Sequence, residues 1–350
     1  MTTEQVHWGT NARLRLVALT GVVLLAVLGA GGYVLHVRTS QPAAGPRVPA
    51  AASRDRLTSV AAEPHVVFRS TAQGEGYGRV ALVPLSAPDG PRTFTPASCD
   101  RVYAAAGRTI CLTARRGLVT TYQAKLLDAE WASRQELPLT GVPSRARLSR
   151  DGTLVATTSF VSGDSYANPG QFSTRTVVSR MDGATVGDIE KFALVVKGRT
   201  IAAADKNMWG VTFADDDDLF YATASSGNTT WLVKGSLATR RLTALREDVE
   251  CPSLSPDGTR IAFKKHGDLP AGQWRLAVLE IATGRETLLP ETRSVDDQPE
   301  WLDDTHVLYG LPRSGADGAA ATSDVWSVPA DGSGSPSVLI HHAWSPAVVR

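Results

Sequence analysis

The chain has 350 residues, with 36 basic against 35 acidic side chains, 43% hydrophobic and 20% charged. That is enough apolar material for a sizeable core, and it excludes a wholly disordered or collagen-like chain. A net charge of +1 supplies no field for holding nucleic acid, so no nucleic-acid partner is expected.

Residues 16–35 contain no Asp, Glu, Lys, Arg or His, and at about 1.5 Å per residue a helix of that length reaches the roughly 30 Å of a hydrocarbon core. The expected organisation is a cytoplasmic N-terminus over 1–15, a transmembrane or signal-anchor helix over 16–36, a Pro/Ala-rich spacer over 37–63 and a folded domain over 64–350. Leu28-Gly29-Ala30 makes a poor cleavage triplet, so retention as an anchor is favoured over removal as a signal peptide. Arg13 and Arg15 precede the run while Arg38, Arg47, Arg54 and Arg56 follow it, so counting flanking charge does not set the topology. Large downstream domains cross largely regardless of that charge, which puts the folded domain outside the cell. The spacer, rich in Pro and Ala and without apolar period, reads as extended and poorly ordered.

From Pro64 onward the chain repeats itself. The clearest copy is Cys251-Pro-Ser-Leu-Ser-Pro-Asp-Gly-Thr-Arg-Ile-Ala-Phe263, a short strand, a Pro-Asp-Gly turn and a second strand. Pro presets the first turn dihedral and Gly tolerates positive φ, so the turn has a physical cause. Weaker hairpins run over residues 102–112, 146–155, 211–221 and 300–309. Third strands are predicted near 79–85, 121–128, 174–180, 230–237, 274–281 and 324–328. Fourth strands are predicted near 91–95, 134–139, 185–189, 240–245, 286–290 and 336–340.

The first unit begins with its second strand, His65-Val-Val-Phe68, and lacks a first one. The missing copy sits at the other end, where Trp344-Ser345-Pro346 follows Trp301 by 43 residues. The end of the chain is therefore expected to pair with residues 65–70 and to close a ring, which removes exposed strand edges. The fold class is all-β: a six-bladed β-propeller closed by a C-terminal strand and preceded by one transmembrane helix. One interval, Leu148 to Phe213, spans 65 residues and calls for an insertion: a polar loop over 162–172 and an extra hairpin over 192–202 around Lys197-Gly198.

Leu254-Ser-Pro-Asp-Gly258 with Ile261-Ala-Phe263 resembles the repeat of TolB-type, WD40-like propellers. The similarity covers roughly residues 64–350. The stretches Asn207 to Phe213, Glu250 to Ser255, Asp296 to Trp301 and Ser345 to Arg350 more narrowly resemble single-anchor TolB-like proteins of high-GC Gram-positive bacteria. That resemblance implies an extracytoplasmic propeller associated with translocation and without a defined activity.

Candidate sites each carry a plain structural alternative. Cys99 and Cys111 flank the hairpin turn near residues 105–107 and suit either a cross-strand disulfide or two reduced core thiols. Cys251 reads as a buried structural thiol rather than a reactive one. Asp215 to Asp218 occupies a turn slot and lacks calcium-loop spacing. Asp296-Asp297, Glu300 and Asp303-Asp304 suit turns better than paired glycosidase carboxylates.

Asn207, Glu250, Asp297, Glu300, His341 and His342 are placed at one channel mouth as candidate ligand-binding residues. Imidazole with carboxylate is a conceivable zinc set. Adjacent strand histidines point to opposite faces, however, so no metal and no cofactor is assigned. Trp209, Trp274, Trp301, Trp326 and Trp344 are expected to pack between blades rather than stack on sugars. No Gly-x-Ser-x-Gly elbow exists, and no catalytic residue is assigned.

The favoured function is a non-enzymatic scaffold in the cell envelope, held on the cell membrane by the N-terminal helix and binding an envelope protein or small ligand. The alternative is an envelope hydrolase or lyase using channel-mouth carboxylates or the histidine pair. A plain structural spacer is a third possibility.

Overall fold

The computed structural model describes residues 9–39, 53–74, 76–161, 173–313 and 322–350. The chain divides into two compact units, residues 1–47 and 48–350. In the first, Gly9–Thr39 forms helix α1, with side chains described for residues 17–32. Among the described residues no helix is long and apolar enough to cross a membrane.

In the second unit Arg54–Ala61 forms helix α2, where an extended spacer is expected from composition. Ser53 caps it by accepting from the Arg56 N–H, Asp55 lies in its first turn, and Leu57 and Val60 pack onto blade-1 residues including Val67 and Val80. A side-chain cap, an acidic first turn and an i,i+3 apolar pair overcome the poor helical composition around them.

Six sheets follow. Blade 1 contains β1 (His65–Ser70), β2 (Arg79–Pro84) and β3 (Thr93–Ser98). Blade 2 is β4 (Arg101–Ala105), β5 (Arg108–Arg115), β6 (Thr121–Leu127) and β7 (Ser133–Leu137). Blade 3 is β8 (Val142–Leu148), β9 (Leu154–Val161), β10 (Ser173–Arg180) and β11 (Thr185–Asp188). The extra hairpin β12 (Ala193–Val196) and β13 (Arg199–Thr200) joins blade 4, which otherwise contains β14 (Asn207–Phe213), β15 (Leu219–Ser226), β16 (Thr229–Ser236) and β17 (Arg241–Glu247). Blade 5 is β18 (Glu250–Leu254), β19 (Arg260–Lys265), β20 (Arg275–Glu280) and β21 (Glu286–Leu288). Blade 6 is β22 (Glu300–Trp301), β23 (His306–Pro312), β24 (Ser323–Pro329) and β25 (Ser337–Ile340).

The final strand, β26 (Ala343–Val349), leaves blade 6 and pairs antiparallel with β1, matching His65 to Val349, Val66 to Val348 and Ser70 to Ala343. Blade 1 is therefore built from both ends of the domain, and the architecture is a closed six-bladed propeller.

The expected extra hairpin exists and makes blade 4 six-stranded, because β12 lies parallel to β17. Phe192 and Leu194 anchor it in the core. The expected polar loop over 162–172 lies outside the described residues. Apolar clusters fill the seams between blades; one joins Trp301, Tyr309 and Val328 of blade 6 to Ala262 and Val278 of blade 5.

Candidate functional site

Each blade contributes its innermost strand to the axis. These strands touch in the order β26, β4, β8, β14, β18, β22 and back to β26, closing a ring. Four of them are irregular near their N-terminal ends. Register shifts occur at Pro143/Arg145, Trp209/Thr212 and Glu250/Ser253, and in β1 opposite Ser345. Gly210, Cys251 and Ser345 take positive φ there. A bulge lets two residues face one partner and re-aims a side chain. Repeated around the ring, these bulges interrupt the inner ladders, and Arg145 and Ser345 at two of them line the axis.

The middle of the channel is closed by a buried network. Arg147 Nη1 donates to Glu300 Oε2 at 2.7 Å and to the Tyr103 hydroxyl at 3.3 Å, while Nη2 donates to the Pro299 carbonyl at 3.0 Å. The Gln298 side-chain oxygen, in the amide orientation that satisfies both of its ends, accepts from Arg147 Nη2 at 3.1 Å. The Tyr103 hydroxyl donates to Glu300 Oε1 at 3.4 Å. Burial and the Glu300 charge push the Tyr103 hydroxyl up to about 12. Burial also raises the Glu300 carboxyl, against the opposing pull of Arg147. Beside this plug, Arg101 Nη1 donates to Asp297 Oδ1 at 3.1 Å and the Gly310 N–H to Oδ2 at 3.0 Å. Burial and the neighbouring Arg145 charge lower the Arg101 guanidinium to about 10.

Toward the N-terminal ends of the inner strands, a cavity of about 400 Å³ opens over blades 3, 4 and 5. Phe160, Trp209 and Trp274 form its walls, and Arg145, Lys264 and Asp296 its polar part. Lys264 Nζ lies 4.1 Å from the centre of the Trp274 ring, a cation–π contact. It donates to Asp296 Oδ1 at 2.7 Å, and Arg145 Nη2 lies 3.7 Å from the same oxygen. Trp274 is steadied from the other side, its Nε1 donating to Glu250 Oε1 at 2.8 Å. Loss of water on the recess side works against ionisation of Asp296, but Lys264, Arg145 and Arg101 outweigh it and hold the carboxyl below its ordinary range.

The six residues expected at one mouth are dispersed. Glu250 lines the cavity. Glu300 is within the plug and Asp297 beside it, both consumed by arginines. Asn207 joins blades 3 and 4, its Oδ1 accepting from the Thr174 N–H at 2.9 Å. His341 and His342 lie at the seam where β26 leaves blade 6, each 3.2 Å from the Arg313 guanidinium. Their carbonyls accept from Arg92. Burial and the nearby Arg313 lower the His342 imidazole.

Among the described residues no group of three or more His, Cys, Asp or Glu is placed to hold a metal ion. Asp216 serves its own turn, accepting from the Asp218 N–H at 3.0 Å. Cys99 and Cys111 form a disulfide with Cα atoms 5.4 Å apart, although not from opposed positions of one hairpin. Cys111 faces Val102 across β4 and β5, and Cys99 lies in the connector between β3 and β4, so the bond ties blade 1 to blade 2. Trp301 bridges blades, its Nε1 donating to the Ser253 carbonyl at 2.8 Å, whereas Trp209 and Trp274 face the cavity. The charges that matter most at the axis, Arg101, Arg145, Arg147 and Lys264, escape sequence reasoning; the available signal is cationic residues inside otherwise apolar strands.

These features define a six-bladed propeller with an ion-paired plug on its axis and an aromatic-walled recess at one mouth. No family model matches the chain, and no curated protein matches it. Among solved structures, TolB from Acinetobacter baumannii is similar with a TM-score of 0.53 at 14% identity, covering 87% of this chain and 74% of that one. A TolB-type protein of Agrobacterium tumefaciens gives 0.50 at 11% identity, covering 81% and 91%. A chain of the nidogen/laminin complex gives 0.53 at 12% identity, covering 81% and 98%. The fold is that of the TolB-like six-bladed propellers.

Proposed function

We propose that this protein is a membrane-anchored, extracytoplasmic binding scaffold that takes an envelope ligand in the recess over blades 3 to 5. The observation that carries the reading is the recess itself: about 400 Å³, within the range of ligand sites, with three aromatic walls and a few convergent charged groups. The Arg147–Glu300 plug lies beneath it, so a ligand is held on the face rather than passed along the axis. The nidogen/laminin structure supplies a precedent for a propeller of this fold within a protein complex.

Two observations support the location. The run over residues 16–35 has no Asp, Glu, Lys, Arg or His and falls inside the continuous helix Gly9–Thr39. The Cys99–Cys111 disulfide suits an oxidising compartment.

The test is capture by the full-length protein from envelope extracts, beside Trp274→Ala and the double variant Trp209→Ala/Trp274→Ala. A ligand held by the wild type and released by both variants supports the reading. Capture unchanged by the variants, or turnover of the captured molecule, refutes it. Protease accessibility of the propeller in intact cells tests the location.

A further inference from the structure

Within that reading of the recess, we infer that its ligand is an aryl carboxylate, and that Asp296 is a built-in counter-ion occupying the ligand's carboxylate position. The argument begins with an inversion of the usual arrangement of charge. The cations are buried: the side chain of Lys264 is 3% exposed and that of Arg145 12%. The anion that lies within ion-pair distance of both, Asp296, is 67% exposed. It belongs to the connector ahead of β22, whereas Lys264 and Arg145 are fixed in β19 and β8.

A cation removed from water requires an anion beside it, but the requirement is for a carboxylate in that place and not for a particular residue. The neighbouring Asp297 shows the contrast. Its side chain is 3% exposed, its two oxygens are taken by Arg101 and the Gly310 N–H, and nothing from solvent can replace it. Asp296 approaches from the open side and can be exchanged for another carboxylate with the same contacts. Arg145 Nη2 stands 3.7 Å from Asp296 Oδ1, beyond hydrogen-bond reach, so a carboxylate seated closer gains a contact that Asp296 does not make. The rest of the recess fixes the ligand's body. Phe160, Trp209 and Trp274 offer apolar walls beside that position, which suit a flat aromatic ring next to the carboxylate.

The test uses phenylacetate, its neutral isostere phenylacetamide, and benzylamine as a cationic control. Binding is read by tryptophan fluorescence and thermal shift on the full chain as wild type, Asp296→Ala, Lys264→Met and the double variant. Removing Asp296 vacates the position, so phenylacetate is expected to bind Asp296→Ala at least tenfold more tightly than wild type and to restore the melting temperature that this variant loses. Phenylacetamide is expected to bind at least tenfold more weakly than the acid, and benzylamine not to bind. The double variant removes both charges, avoiding an unpaired buried cation, and is expected to have lost the preference for the acid.

Equal binding of acid and amide, no gain in Asp296→Ala, or a preference that survives in the double variant overturns the inference. If capture still depends on Trp274 while acid and amide bind alike, the recess stands as the binding site and only the ligand class fails. If capture ignores Trp274, the reading of the recess itself fails.

Discussion

The plug on the axis gives the sharpest energetic prediction. Arg147 and Glu300 are 8% and 7% exposed and 2.7 Å apart, so each is the main compensation for the other's lost hydration. Changing Arg147 to Ala leaves Glu300 with one hydrogen-bonding side chain, the Tyr103 hydroxyl at 3.4 Å, and strips the guanidinium from the Tyr103 ring. Breaking one side of a buried pair costs about 3–5 kcal/mol. At about 2 °C per kcal/mol for a domain of this size, the melting temperature should fall by roughly 6–10 °C. Glu300→Ala is expected to cost about 3 kcal/mol, nearer the low end, because the Pro299 carbonyl and Gln298 still accept from Arg147.

Arg147→Ala/Glu300→Ala removes both charges and should cost well under the sum of the two single changes, giving a coupling energy of several kcal/mol in a double-mutant cycle. The assay is thermal and urea unfolding of the four full-length proteins. Additive single and double effects, within about 0.5 kcal/mol, would refute the plug as a coupled unit.

Other expectations follow from particular residues. Burial raises the Glu190 carboxyl to about 8, so its neutral form is the one the fold favours. Its stabilising contribution is complete below the ordinary Glu value of about 4.3 and is lost as pH rises through about 8. Glu190→Gln keeps acceptors for Thr174 and Met208 and should flatten that slope, gaining on the order of 2 kcal/mol over wild type at pH 9 in urea unfolding. Reducing the Cys99–Cys111 bond, which closes a separation of 12 residues, should cost about 3 kcal/mol; a reductant should leave Cys99→Ser/Cys111→Ser unchanged. Gly210 has φ +69, and a Cβ there would lie 2.8 Å from the Cys251 Cα, whereas Gly227 has φ +59 and open space around it. Gly210→Ala should therefore destabilise by more than the roughly 1–2 kcal/mol expected of Gly227→Ala, as read by melting temperature.

The architecture was legible because it repeats. Pro256-Asp257-Gly258 marks a turn by local chemistry alone, and the β-branched and aromatic residues of Ile261-Ala-Phe263 mark the strand that follows. The closing strand was legible for the same reason, from Trp344-Ser345-Pro346 lying 43 residues after Trp301, but its register was not: the structure puts Ser345 at the bulge that Cys251 occupies in β18, not at the Ser255-Pro256 turn. What escaped was long-range. Arg147 meets Glu300 across 153 residues and Arg101 meets Asp297 across 196, and no local period records such a meeting. Asp297 and Glu300 were recognised as residues of interest but placed at an open mouth, because burial by a partner from another blade cannot be read from either sequence neighbourhood. Helix α2 was hidden by a Pro/Ala-rich surrounding, although Ser53 and Asp55 are ordinary helix-start residues. The histidine pair suits a metal set by residue type, yet each imidazole lies 3.2 Å from the Arg313 guanidinium, which repels a cation, and the carboxylate beside them, Asp324, is held by Arg313 at 2.7 Å.

The whole arrangement of recess and plug depends on a ring that closes through β26. Amide hydrogen exchange of the full-length protein measures this directly. Closure predicts that the Val66, Ala347 and Val348 amides are protected to the level of Val307 and Val325 in blade 6, and that all of them exchange in one cooperative opening. Exchange of residues 343–349 at the rate of an exposed segment, with blade 6 still protected, would contradict it.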